Sequence, residues 1–175
     1  MKESNKLPLI YVIGMPIVFL VAFVLNTKYI QIGNAYLYIS VFLYPLTYLI
    51  SGLITKKTSY KDGLLIMAVS LVTVALASVV RWSMLDILEP WSMIYAFLSF
   101  LICQLIFIYG YDFLIKTKKD TYGFVFILLV LICAIDNAFF GIIVEGQWVS
   151  ISILIRLIYV VVLPVVLARN SKSAK

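Results

Sequence analysis

The 175-residue sequence contains no histidine, only two cysteines and 13% charged residues. The absence of histidine excludes Ser-His-Asp triads, imidazole general bases and HExxH zinc sites. Cys103 and Cys133 lie in separate apolar blocks, where cysteine usually packs as a small apolar side chain rather than forming a disulfide or binding metal. There is also no Gly-x-Ser-x-Gly motif. We therefore expect no enzyme activity, no metal and no cofactor.

The scarcity of charge is matched by an excess of apolar residues, which make up 64% of the chain. A soluble domain is typically about half apolar and about a quarter charged, and a domain of this size still exposes roughly a third of its unfolded surface. A lipid bilayer is thus the expected partner. The net charge of +6 does not indicate nucleic acid binding, because the lysines form short clusters between apolar blocks rather than a basic face.

Six apolar blocks follow one another along the chain, each close to the roughly 17–25 residues that cross a bilayer as a helix. They are continuously apolar rather than alternating, which favours helices over barrel strands. The first block follows Lys2 and Lys6, and no small-x-small cleavage site follows it, so we expect a retained span rather than a signal peptide. The sequence predicts an all-α protein with one integral membrane domain, residues 1–175, and spans at about 8–25, 35–54, 64–80, 93–114, 123–144 and 149–167.

The positions of the basic residues predict an orientation. Eleven of the fourteen lie in the N-terminus, the second-to-third and fourth-to-fifth connectors and the C-terminus, whereas the alternate regions hold only Lys28 and Arg81. By the positive-inside rule both termini face the cytoplasm, in a multi-pass protein of the cytoplasmic membrane. The three tryptophans fall at the predicted outer interface, where indole rings are enriched: Trp82, Trp91 and Trp148.

Two ionisable residues, Asp136 and Arg156, lie inside the predicted fifth and sixth spans. At 1.5 Å per residue both are roughly 10–13 Å below the outer interface, and consecutive antiparallel spans can bring them together. Ionisable groups at bilayer depth are costly and often functional. Two interpretations stay open: a structural ion pair that holds two helices together, and a substrate or coupling site.

Uncharged polar, proline and aromatic residues in the spans allow similar alternatives. Gln104 and Asn137 could form interhelical hydrogen bonds or contribute to a site. Tyr44 and Tyr48 are i,i+4 neighbours on one helix face, where their rings could sandwich a planar heterocycle or simply pack. Prolines within spans could mark packed kinks or the wall of a cavity: Pro16, Pro45 and Pro164.

Several of these residues, taken in order, resemble the VUT (vitamin uptake) family of queuosine precursor transporters. The run 26–28 (Asn-Thr-Lys) followed by 44–51 (Tyr-Pro-Leu-Thr-Tyr-Leu-Ile-Ser) is similar to that family's first connector and second span. Gln104 resembles the glutamine of its fourth span, and the run 135–140 (Ile-Asp-Asn-Ala-Phe-Phe) resembles its Ser-x-x-Asp-Thr-x-x-Phe segment. The sixth span resembles its lysine-then-proline pattern, with Arg156 and Pro164 here.

The resemblance implies a six-span transporter that imports a small planar solute, a deazapurine such as 7-cyano-7-deazaguanine, without a cofactor. The residues it implies for substrate binding are Asp136, Asn137, Gln104, Arg156, Tyr44, Thr47, Tyr48 and Asn26. Two acidic positions of the family pattern are different in this chain, which has Gly52 and Phe107 there.

The chemistry expected of such a site is specific. A guanine-like base presents adjacent N1–H and 2-amino donors, which the carboxylate of Asp136 can accept in parallel. The amides of Gln104 and Asn137 can bond O6 or ring nitrogens. Two alternatives remain: a substrate-binding membrane subunit of an energy-coupling-factor importer that needs an ATPase module, and a non-transport membrane interaction protein. A homo-oligomer is also compatible with the sequence.

Overall fold

The computed structural model describes residues 9–25, 28–32, 35–85, 90–138 and 151–169. Within these ranges the chain is almost entirely helical, which confirms the predicted fold class at the level of secondary structure. The helices are α1 (Leu9–Leu25), α2 (Tyr44–Lys57), α3 (Tyr60–Leu85), α4 (Pro90–Lys116), α5 (Tyr122–Asp136) and α6 (Ile151–Arg169). An antiparallel hairpin, β1 (Tyr29–Ile32) and β2 (Ala35–Tyr38), and a 3-10 helix, Ile39–Phe42, separate α1 from α2.

Three helical segments of the described chain are long and apolar enough to cross a bilayer: Ile39–Lys57, Tyr60–Val79 and Phe97–Lys116. This indicates a membrane protein. Three further apolar helices are shorter: Leu9–Leu25, Tyr122–Asp136 and Ile155–Ala168. The last residues of the predicted fifth span, 139–144, and the first of the sixth, 149–150, lie outside the described residues, as does Trp148.

The hairpin corrects the prediction that a second helical span begins at Ala35. Strand β2 occupies Ala35–Tyr38, paired with β1 so that Tyr29 is opposite Tyr38. The segment is rich in tyrosine and isoleucine, which favour strands, and the intervening sequence Gly33-Asn34 is typical of two-residue hairpin loops. Helix α2 begins only at Tyr44, next to Pro45, because proline lacks an N–H and suits the first helical turn.

Helix α2 lies at the centre of the bundle, in contact with α1, α3, α4 and α6. Two buried clusters flank it. One joins α1, α3 and α4 through residues that include Phe19, Ile66 and Phe100. The other joins α4, α5 and α6, and its buried members include Phe107, Leu129 and Leu163. The polar residues of α2 are therefore placed between two apolar layers.

The side chains of Lys56 and Lys57 contact residues from other parts of the chain, so that four segments meet at one end of the bundle. Lys57 Nζ donates to the hydroxyl of Tyr11 at 3.0 Å, near the start of α1. Lys56 Nζ lies 3.2 Å from Asp120 Oδ2 in the α4–α5 connector and donates to the carbonyl of Leu167 in α6 at 2.8 Å. We call this the lysine end. It unites segments that the charge pattern assigns to one side of the membrane.

Candidate functional site

The spacing of residues on α5 and α6 explains why Asp136 and Arg156 meet. Both helices carry a buried stripe with intervals of four, three and four residues, which keeps the side chains on one helical face. On α5 the stripe ends in Asp136, and on α6 it begins with Arg156. The apolar members belong to one core cluster: Val125, Leu129, Ile132, Val160, Leu163 and Leu167. The charged pair therefore occupies the final positions of an otherwise apolar interface.

The ion pair itself is close and mostly buried. Arg156 Nη1 lies 2.8 Å from Asp136 Oδ2, and the two side chains are 11% and 25% exposed. Ser99 of α4 donates its hydroxyl to Asp136 Oδ1 at 2.5 Å, within the short range typical of hydroxyl–carboxylate bonds. The expected meeting of Asp136 with Arg156 is thus confirmed. The carboxylate is held from two helices, one on each oxygen.

Two adjoining cavities reach this pair. The larger has about 450 Å³ of empty space, including its opening, and lies between α2, α5 and α6. The smaller has about 390 Å³ and extends toward Ser40 and Phe100. Both are lined by Asp136, Arg156, Tyr44 and Tyr48, together with Val41. A carboxylate has about four acceptor positions, so Asp136 retains capacity for a further donor in the cavities.

Tyr44 and Tyr48 are placed as predicted, at the cavity wall, but they are also part of the packing. The ring of Tyr44 lies 6.0 Å from that of Phe19 in α1. The ring of Tyr48 meets Phe107 edge-on at 5.5 Å. Their i,i+4 spacing places both on the α2 face that borders the ion pair. Each ring therefore has one side supported by protein and another directed to the cavities.

Gln104 and Thr47, which the resemblance implies for substrate binding, form hydrogen bonds away from Asp136. Gln104 is fully buried, donates from Nε2 to Thr47 Oγ1 at 2.6 Å, and accepts from Ser51 Oγ at 3.0 Å. Thr47 in turn donates to the carbonyl of Tyr44. Neither residue lines either of the two cavities. Because a buried amide must be satisfied, Gln104 serves to connect α4 with α2, the interhelical alternative named above.

Two predicted site residues remain, Asn137 and Asn26. Asn137 caps the C-terminus of α5, where its backbone N–H bonds the carbonyls of Cys133 and Ala134. It is absent from the walls of both cavities, as the roughly 100° rotation between consecutive helical residues implies. Asn26 lies outside the described residues, so its predicted role stays a prediction.

Three residues at the site were not expected there from the sequence. Ser99 holds the carboxylate, Cys133 lines the larger cavity, and Tyr159 both lines it and donates to the carbonyl of Phe42 at 2.8 Å. Tyr159 is three residues after Arg156, a spacing that puts both on one side of a helix. The signal for Ser99 was a hydroxyl inside an apolar block, a common interhelical donor in membranes.

Within the described ranges, no group of three or more histidine, cysteine, aspartate or glutamate side chains is arranged to hold a metal ion. The fold and the site define a helical protein, with segments long and apolar enough to cross a membrane, whose mostly buried ion pair borders two cavities. Comparison with protein-family models, curated proteins and solved structures found no match. The family resemblance therefore depends on the quoted residues alone.

Proposed function

We propose that this chain is a six-span transporter of the cell inner membrane, with both termini in the cytoplasm, that carries a small planar solute. The topology is supported by the lysine end. The start of α1, the end of α2, the α4–α5 connector and the end of α6 meet there through Lys56 and Lys57. These are the regions in which basic residues are concentrated, and basic residues are retained in the cytoplasm.

The observation that carries the transport proposal is the position of the ion pair. Asp136 and Arg156 are mostly buried, yet both line two adjoining cavities. A charged pair at bilayer depth has a large desolvation cost, and polar groups there commonly mark the path of a solute. A pair that served only to join α5 and α6 would not need to border empty space.

The chemistry of the walls favours a planar, hydrogen-bonding solute. Asp136 can accept donors from one edge of a ring, and Arg156 can donate to an acceptor such as a ring carbonyl. Tyr44 and Tyr48 offer aromatic surface to the same space, which suits the faces of a heterocycle. A deazapurine combines these features. The resemblance to queuosine precursor transporters supports the same substrate class.

Gly52 and Phe107, the two departures from the family pattern, are neighbours in space. A Cβ placed on Gly52 would lie 3.2 Å from the ring of Phe107. Where the family pattern has two acidic residues, this chain therefore has an aromatic ring packed on a glycine. We infer that the chain recognises its solute without those carboxylates, so that recognition depends more heavily on Asp136 than in the family pattern.

Uptake in cells tests the proposal. In a host unable to synthesise deazapurines, expression of the chain should restore queuosine in tRNA when 7-cyano-7-deazaguanine is supplied. Asp136→Asn should abolish restoration. Asp112→Asn, which removes a carboxylate paired with Lys116 away from the cavities, should leave it intact. If the folded wild-type protein restores nothing, this substrate is rejected, and a thermal-shift screen of other planar solutes on the purified protein would identify the class it does bind.

A further inference from the structure

At the lysine end, Lys56 connects three separate parts of the fold. Its side chain is only 12% exposed, with Nζ 3.2 Å from Asp120 Oδ2 and bonded to the carbonyl of Leu167 at 2.8 Å. That carbonyl is in the last turn of α6, where it has no partner within the helix. A cation near a helix C-terminus is also favoured by the helix dipole. One ammonium group therefore holds the ends of α2 and α6 and the α4–α5 connector together.

The side chain of Leu167 lies on the lysine-end side of the larger cavity. Leu163 lines that cavity, and Leu167 is one helical turn closer to the lysine end. Leu167 is fully buried, and its Cδ2 lies 2.9 Å from where a Cβ on Gly52 would be. The ring of Phe107 occupies the other side of Gly52. The same residue thus accepts the bond from Lys56 and forms part of the apolar layer between the cavity and the lysine end.

Pro164 separates Leu167 from the rest of α6. Proline has no N–H, so the carbonyl of Val160, four residues earlier, loses its helical hydrogen bond. Helices bend most readily at such positions. The segment 164–169 can therefore tilt relative to the preceding part of α6, while Arg156 and Val160 keep their places beside the ion pair.

Two buried hydroxyls destabilise the arrangement in which Lys56 holds the end of α6. Thr55, next to Lys56 in sequence, is 5% exposed, and Tyr111, whose ring stacks on Phe107 at 5.6 Å, is fully buried. Neither hydroxyl has a hydrogen-bond partner among the described residues. Buried groups without partners destabilise the state that contains them. Entry of water at this end would satisfy both, so the closed state depends on contacts such as those of Lys56.

We propose that the lysine end is a gate. Lys56 is its latch, Leu167 on Gly52 and Phe107 is its plug, and Pro164 is the hinge about which the end of α6 moves. This inference rests on the proposed transport function, since a gate has a role only if a solute passes. Release of the Leu167 carbonyl by Lys56 opens the cavity that contains Asp136 and Arg156 toward the lysine end.

Cys133 provides a natural reporter, because it lines the larger cavity while the other cysteine, Cys103, is fully buried. The experiment measures labelling of Cys133 by a membrane-impermeant maleimide in vesicles of both orientations, with Cys133→Ser as the background. Lys56→Met should increase the labelling rate severalfold from the lysine-end side and leave the rate from the opposite side unchanged. Lys116→Met, which removes a lysine that is 63% exposed and paired with Asp112 in its own helix, should have no effect.

Asp120→Asn provides a second disruption of the latch if Lys56→Met does not fold. Equal labelling rates in latch variants and wild type would overturn the gate, and so would an equal increase from both sides, which would show general loosening. The assay needs no substrate. If the queuosine test fails while labelling changes as expected, the proposed substrate is rejected and the gate is supported. If uptake is restored but labelling does not respond, the gate alone is rejected.

Discussion

Ser99 of α4 and Asp136 of α5 are joined by a hydrogen bond of 2.5 Å between the serine hydroxyl and Oδ1 of the carboxylate. The other carboxylate oxygen is 2.8 Å from Arg156. With one oxygen held from α4 and the other from α6, the direction in which Asp136 presents its remaining lone pairs to the cavities is determined by three helices. This relationship makes Ser99 a positioning residue for the proposed site.

Ser99→Ala should raise the KM for uptake about tenfold or more, because a hydrogen bond to a charged group contributes roughly 1.5–3 kcal/mol. The maximal rate should change much less, since the carboxylate and its partner Arg156 remain. Concentration-dependent uptake in vesicles separates the two parameters. Ser70→Ala is the matched control, because Ser70 is equally buried and bonds the carbonyl of Ile66 in its own helix. Equal effects of the two variants would argue against a positioning role.

Breaking the Asp136–Arg156 pair from one side should destabilise the protein by roughly 3–5 kcal/mol, because the remaining charge is left buried without its partner. Asp136→Asn combined with Arg156→Met should cost clearly less than the sum of the single changes. Thermal unfolding of the purified protein in detergent measures this. The corresponding cycle on Asp112 and Lys116, an i,i+4 pair whose lysine is 63% exposed, should show much weaker coupling. Additive effects for Asp136 and Arg156 would contradict the ion pair.

The meeting of Asp136 and Arg156 could be predicted because it depends on simple regularities. Two consecutive apolar helices run antiparallel, and the four-three-four spacing on each carries the charged residue to the same face. The identity of the third partner could not be predicted in this way. Ser99 lies on α4, and its distance from Asp136 depends on how far α4 is rotated about its own axis, which no local pattern specifies.

The failures of prediction have equally local causes. Gln104 was expected in the cavity, but the sequence does not reveal that Thr47 and Ser51 would satisfy its amide from α2. The predicted second span includes strand β2 because hydrophobicity alone does not distinguish a strand from a helix in a short apolar run. The dipeptide Gly33-Asn34 was the signal that could have identified it.

Gly52→Ala should destabilise the bundle by about 1–3 kcal/mol, the usual cost of overpacking. The added Cβ would lie 2.9 Å from Leu167 and 3.2 Å from Phe107, so both side chains must move. Combining it with Phe107→Leu should recover part of the loss. Gly123→Ala is the control, because nothing lies within 4 Å of its added Cβ and alanine favours the helix. In thermal unfolding, Gly52→Ala should be the least stable variant, its combination with Phe107→Leu should be more stable, and Gly123→Ala should be at least as stable as the wild type. An unaffected Gly52→Ala would refute the close packing at this position.

Cys133 should report occupancy of the larger cavity. It lies on the wall beside Asp136 and Arg156, so a planar solute bound between the tyrosines should shield its thiol. Modification of the purified protein by a small maleimide should occur at Cys133 and not at the fully buried Cys103, and a saturating solute should slow it severalfold. In Asp136→Asn the thiol should remain reactive while the solute no longer protects it, because binding and not access has been lost. Mass spectrometry of the labelled peptides distinguishes the two cysteines. Protection that persists in Asp136→Asn would place the solute elsewhere and remove the ion pair from the binding site.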